Sequence, residues 1–277
     1  MDLKCYNFSG IKIGIQSEQK LPESDKLAEF RTECSEPDYT VKLKFLESLP
    51  DDAALLYGSG QKWHSRKTTL DDAGYEKPFA YVSDEKGKST MLAVERLRDM
   101  FDAGTVLRHL PLHHAFLEFD AVVLHSSYIL VDGKAILFSA PSGTGKSTQA
   151  QLWEKYRGAE IINGDRTLIR KTENGFTAGG IYYSGTSGIC RNVTAPLRAI
   201  VLLGQSGQST VEKCGGAEAF RRLFRQCAYT SDFENDPAVV TDILVNAVNN
   251  VDIVKLDCLP DESAVNALEN YLSGDND

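Results

Sequence analysis

Ala140-Pro141-Ser142-Gly143-Thr144-Gly145-Lys146-Ser147-Thr148 separates an apolar run from a helical one, and both flanks are read from it. The spelling is that of a phosphate-binding loop, G-x-x-x-x-G-K-[ST], with Ala140 in place of the first glycine. Gly143 and Gly145 allow the backbone to curl until successive N–H groups converge on an anion. Lys146 adds a mobile cation for outer phosphates, and Ser147 adds a hydroxyl suited to Mg²⁺. Ser142, Thr144 and Thr148 complete the set expected to line a nucleotide. Such a loop must deliver phosphates to a helix N-terminus, where unpaired N–H groups favour anions. The flanks comply: Ala135 to Ser139 is β-prone, and Ser147 to Tyr156 predicts a helix stopped by Gly158.

The chain has 277 residues, 42% hydrophobic and 25% charged, which is the composition of a globular protein with a sizeable core. A net charge of −9 argues against a nucleic-acid partner, since nothing overall would neutralise a phosphate backbone. Cys5, Cys34, Cys190, Cys214, Cys227 and Cys258 are scattered, with no C-x-x-C pair and no zinc-like cadence. Scattered thiols suggest a reducing compartment. With no signal-like start and no apolar run of membrane-spanning length, the expectation is a cytoplasmic protein with no membrane partner.

Residues 1–120 read as a separate β-rich region that could bind a substrate or partner, and residues 121–277 as the nucleotide-binding domain. Ile11 to Ile15 and Val41 to Phe45 alternate as half-buried strands do. Pro22 to Asp38 reads as loop, and Ser83 to Lys88 as a hairpin connection between Phe79–Val82 and Thr90–Val94. Gly58 to Lys67 is a locally basic stretch. His109/His113 and His114/Glu118 are i,i+4 pairs with metal-ligand spacing, but Pro111 disfavours one unbroken helix. Packing or surface histidines are the expectation there.

Val122 to Val131 predicts a strand, joined through Asp132-Gly133 to the strand leading into the glycine loop. Ala159 to Ile162 predicts a strand ending at Asn163-Gly164-Asp165-Arg166, and Asn174-Gly175 a second hairpin turn. Gly179 to Gly188 is a Gly/Ser/Tyr stretch able to approach a ligand closely or to serve as a plain loop. Ala199 to Leu203 reads as a buried strand, Gly216 to Tyr229 as an amphipathic helix, and Asp236 to Asn249 as another helix. Val251 to Leu256 and a helix capped by Asp261 finish the pattern.

A histidine ending a strand, a hairpin, S-G-x-G-K-S, a helix, then a strand ending in acid before Arg resembles the layout of HPr kinase/phosphorylase. The match runs over about residues 120 to 210. Closer still in appearance are the bacterial relatives of that kinase regarded as serine kinases. The resemblance implies an α/β fold: a mixed-sheet P-loop domain of the phosphoenolpyruvate carboxykinase/HPr kinase type beside the β-rich N-terminal region. It implies ATP and Mg²⁺ as cofactors, Asp165 as base or, with Ser147, metal ligand, and His125 close to the transferring phosphate. Lys146 completes the catalytic group, and Arg166 or Arg191 is a candidate for stabilising equatorial oxygens. The implied reaction is transfer of a γ-phosphate to a serine or similar hydroxyl of a protein or peptide.

The chain departs from that family where it has Gly164-Asp165 instead of two consecutive acids, and where the family's Arg-Gly signature would stand. Phosphorylase chemistry is therefore not expected. The single acid keeps open a nucleotide-responsive binding module without transfer, as well as another P-loop ATPase.

Overall fold

A computed structural model describes residues 1–50, 65–70, 74, 76–229 and 233–274. The chain divides into two units, Met1–Glu118 and Phe119–Asp277, each with its own sheet. Both sheets mix parallel and antiparallel pairs, and helices accompany both, so the fold is α/β.

In the first unit, β1 (Asp2–Phe8) and β2 (Ile11–Ser17) form a hairpin whose two-residue turn, Ser9-Gly10, has positive φ at both positions. The segment read as a loop holds a short helix α1 (Asp25–Ala28), capped by the Ser24 hydroxyl, and β3 (Arg31–Thr32). β4 (Tyr39–Leu46) runs parallel to both β2 and β7 (Lys88–Val94), and β6 (Glu76–Glu85) and β5 (Ser65–Leu70) complete the sheet. The predicted Ser83–Lys88 connection is much shorter than expected, because the strands continue to Glu85 and resume at Lys88. Gly58 to His64 of the basic stretch lies outside the described residues. Helices α2 (Ala103–His109) and α3 (Leu112–Leu117) follow, broken by Pro111 as its missing N–H requires. Phe8 stacks on Phe30 at 5.2 Å and meets the edge of Phe116 at 5.9 Å, which draws α1 and α3 onto one face of the sheet.

The expectation of scattered thiols fails at one place. Cys5 on β1 and Cys34 just past β3 are joined by a disulfide, their Cα atoms 6.0 Å apart. Strand pairing explains it: Cys5 lies opposite Thr32, so the chain beyond β3 passes the Cys5 side chain. The spacing of 29 residues carries no sequence signal of its own.

The second unit is organised by two long strands. β8 (Ala121–Val131) pairs through its first half with β11 (Arg166–Thr172) and β15 (Cys227–Ala228). Its second half pairs with β9 (Lys134–Ser139) and β10 (Glu160–Asn163). β13 (Thr194–Gln205) likewise takes β12 (Gly175–Gly180) early and then runs parallel to β9 and β16 (Asp252–Cys258). β14 (Thr210–Lys213) closes the far edge. The sheet thus splits where β8 exchanges one set of neighbours for another, between His125 and Ser126.

Helix α4 (Lys146–Arg157) and α7 (Glu262–Ser273) cover one face, where Ala150, Trp153, Val265 and Leu268 bury against Ile136, Phe138, Val201 and Val254. Full burial of such a side chain stabilises by about 1.5–3 kcal/mol, so α4 is held by its apolar face more than by helix propensity. Arg157 ties the two helices together by donating from Nε and one terminal nitrogen to Glu269 at 2.7–2.8 Å. Helices α5 (Gly216–Phe224) and α6 (Asp236–Asn250) pack on each other. α5 ends before the predicted Tyr229, and Cys227 lies in β15 instead of on the helix. Among the described residues, no helix is long and apolar enough to cross a membrane.

Candidate functional site

The hairpin turn Asp132-Gly133 has φ of 48° and 72°, the geometry of a type I′ turn, and aims β9 back across the sheet. β9 ends at Ser139, and residues 140–145 form the connection to α4. Gly143 and Gly145 have φ of 80° and 116°, which an L side chain rarely adopts. Nothing lies within 4 Å of where a β-carbon would sit on either glycine, so the space beside each is open. No side chain caps α4 at Gly145, which leaves the first-turn N–H groups directed into the same space. Ser142, Ser147 and Thr148 are exposed, and Thr144 is half-buried.

Lys146 is 7% exposed and donates to the carbonyls of Ala140 at 2.9 Å and Pro141 at 3.3 Å. Burial pushes its ammonium below the ordinary lysine range, while the Asp165 carboxylate acts in the opposite direction. The Ser127 hydroxyl donates to the Lys146 carbonyl at 3.0 Å, locking the helix start to β8.

Asp165 follows β10 and reaches the split in the sheet. Its Oδ1 lies 3.3 Å from His125 Nε2 and its Oδ2 lies 3.4 Å from Arg166 Nε. His125, the last residue of β8 to pair with β11, is held on its other nitrogen by the Gln226 side chain at 3.0 Å. Its own carbonyl accepts from the Ser139 hydroxyl at 3.1 Å, at the end of β9. The structure therefore brings Lys146, His125, Asp165 and Arg166 to one end of the sheet, where strand partners change. In open α/β sheets this is where crevices form. Arg191 is not part of the group; its guanidinium pairs with Glu160.

Three positions that sequence reasoning passed over hold Asp165 in place. Asn163 is fully buried: its side-chain oxygen accepts from the N–H groups of Asp165 and Arg166, and its amide donates to the carbonyls of Ile181 and Tyr183. An Asn at a strand end before Gly-Asp was the available signal, because Asx turns favour it. Gly185, with φ of 52°, lets the Gly/Ser stretch approach so closely that a β-carbon there would stand 2.7 Å from the Asp165 carboxyl carbon. Gln226 gave no local signal, since only the fold places it beside His125.

The histidine cluster of the first unit separates in two. His109 ends α2 and packs edge-on against Phe79 at 5.3 Å, and burial lowers its imidazole pKa. His114 and Glu118 lie on and just past α3, on the other side of Pro111.

No family model matches the chain, and no curated protein matches it. Among solved structures, the HPr(Ser) kinase/phosphatase from Coxiella burnetii is similar to it at 12% identity, over 55% of this chain and 93% of its own, with a TM-score of 0.29. A likeness that loose carries neither a residue nor an activity from one protein to the other.

Proposed function

We propose that the second unit is an ATP-dependent phosphotransferase that passes a γ-phosphate to a serine or similar hydroxyl on a protein or peptide. One observation carries this reading: a buried lysine that opens the helix after a glycine-curled loop and a carboxylate set against His125 stand at the same end of one sheet, where its strands part. Phosphoryl transfer asks for positioning and charge neutralisation more than covalent chemistry, and these are the parts it uses.

The residues present fit a magnesium nucleotide. The space beside Gly143 and Gly145 is free for phosphate oxygens to approach, and the uncapped start of α4 supplies donors. Ser142, Thr144 and Thr148 would line the phosphates, and Lys146 would exchange its two loop carbonyls for phosphate oxygens. Ser147 would hold Mg²⁺, which when bound neutralises the charge between outer phosphates, and the single carboxylate of Asp165 is left for the acceptor hydroxyl. Asp165 orients or accepts a proton from the acceptor hydroxyl, His125 fixes the carboxylate, and Arg166 faces its second oxygen.

The test separates binding from transfer. Calorimetry with Mg-ATP should show one saturable site, lost in Lys146→Ala and retained in Asp165→Asn. Labelled ATP offered with serine-containing peptide pools should give stable phosphoester with the native chain, and none with either variant. Absence of nucleotide uptake by the native chain overturns the proposal. Uptake without any transfer supports the alternative, a nucleotide-responsive binding module, which the single acid at Asp165 motivates.

A further inference from the structure

In the first unit, a second cluster of chemistry-bearing groups assembles from elements distant in sequence. Asp84 on β6, His114 on α3 and Glu118 at the end of α3 each present a ligand atom, and these atoms all lie within 4.8 Å of one another. His114 and Glu118 are four residues apart, which puts both on one face of the helix. The β6–β7 hairpin brings Asp84 to that face.

We propose that Asp84, His114 and Glu118 bind a divalent cation of the zinc class, with water completing its coordination. The Asp84 side chain is only 2% exposed, and its Oδ2 stands 3.6 Å from His114 Nε2. That is beyond hydrogen-bond reach, yet close to the separation of about 3.4 Å that two ligands take when each sits about 2.1 Å from one tetrahedral ion. The opposite oxygen, Oδ1, accepts from the hydroxyls of Tyr39 and Ser89. Those donors leave Oδ2 aimed at the cluster. Glu118 is also held by a donor, its Oε2 accepting from the Gly87 amide at 2.9 Å. Donors that fix the carboxylates are what the surroundings of a metal site supply.

Charge argues in the same direction. A buried carboxylate beside a second carboxylate is costly without a cation. Among the described residues, no lysine or arginine forms an ion pair with Asp84 or Glu118; the Lys86 ammonium acts on Glu118 only at longer range, and no cation but the His114 imidazole stands beside the buried Asp84. One nitrogen and two oxygen ligands suit Zn²⁺ better than Mg²⁺ or Ca²⁺, which favour oxygen alone. The ion would clamp the tip of the β6–β7 hairpin to the end of α3, through residues that the proposed phosphotransferase does not use.

The experiment uses the full chain, unreduced and free of nucleotide, so that neither Mg-ATP nor newly exposed thiols compete. After equilibration with Zn²⁺ and dialysis, the native chain should retain one ion and melt several degrees higher than the chelator-treated protein. Co²⁺ in its place should give a spectrum of nitrogen and oxygen ligation with no thiolate band. His114→Ala and Glu118→Gln should both lose the ion while keeping the circular dichroism of the metal-free native chain. Ser89→Ala, which removes a donor to Asp84 Oδ1 and a contact with the Tyr39 hydroxyl but no proposed ligand, should weaken binding by about 10–100-fold. A native chain that retains no ion, retention unchanged in both ligand variants, or a thiolate spectrum would each overturn the assignment. In the first case the three side chains form a proton-sharing polar cluster only.

Discussion

Ser187 stands against the bare face of Gly164, so that a β-carbon at position 164 would overlap the Ser187 hydroxyl. The residue before Asp165 is thus a glycine for a steric reason: the Gly/Ser segment 184–188 fills the space that a second acid would occupy. Gly164→Asp should destabilise the second unit by about 1–3 kcal/mol, the usual cost of overpacking. Adding Ser187→Gly should restore most of that loss. Urea unfolding of the two variants checks it, and equal midpoints for native chain and Gly164→Asp would place the segment elsewhere.

The pairing of His125 with both Asp165 and Gln226 predicts a graded series. Asp165→Asn should cut phosphoryl transfer by about 10²–10⁴-fold, the range for a positioned acid or base, with nucleotide affinity little changed. Gln226→Leu removes the acceptor on His125 Nδ1 but touches nothing at Asp165, so the loss of transfer should be smaller. His125→Ala should fall between them. The comparison is read from single-turnover rates with nucleotide saturating. Gln226→Leu as damaging as Asp165→Asn would mean that Gln226 supports the fold and not the histidine.

Much of the second unit was legible because its signals are local. Asp132-Gly133 predicts its hairpin, Gly158 ends α4 with φ of 66°, and Asp261 caps α7 through its side chain. What was hidden depends on contacts across the chain. The amphipathic pattern of Gly216 to Cys227 continues past the helix end, yet the chain leaves the helix at Arg225 and Gln226, and β15 then joins β8. β14 is short and exposed, so neither alternation nor length marks it. In the first unit, His114 and Glu118 were visible as a pair, but Asp84 lies 30 residues upstream, in a segment read as a hairpin connection. The arrangement of Asp165 was half readable: its place at a strand end follows from the pattern, whereas the Asn163 and Gly185 contacts that hold it do not.

The Cys5–Cys34 bond makes a claim that chemistry can check directly. Alkylation of the denatured, unreduced chain should label only Cys190, Cys214, Cys227 and Cys258. The bond closes a loop with a sequence separation of 29, for which the chain-entropy argument gives about 3.5 kcal/mol of stabilisation. Reduction should therefore lower the denaturant midpoint of the first unit and leave that of the second unchanged. Labelling of all the cysteines without reduction would mean that the thiols are free, as a cytoplasmic setting favours.

Alkaline pH should unfold the protein through its buried phenols. Tyr6, Tyr39 and Tyr128 are fully buried. Burial raises each well above the ordinary phenol range; Glu23 adds to the effect at Tyr6, Asp84 at Tyr39 and Glu160 at Tyr128. Unfolded, each phenol releases its proton near pH 10, so above that pH the native state binds more protons than the unfolded one. Stability contributed by these groups is complete below about pH 10 and declines as pH rises toward the folded values, by about 1.4 kcal/mol per pH unit for each phenol. Tyr128 alone belongs to the second unit, so that unit should lose stability less steeply than the first. Phenolate absorbance and far-ultraviolet circular dichroism followed together should show these tyrosines ionising only as the structure is lost. Tyr128→Phe should flatten the decline in the second unit, and at neutral pH it should cost little, because the Tyr128 hydroxyl is buried without a hydrogen-bond partner. Ionisation of all tyrosines near pH 10 with the dichroism unchanged would contradict the burial on which this prediction rests.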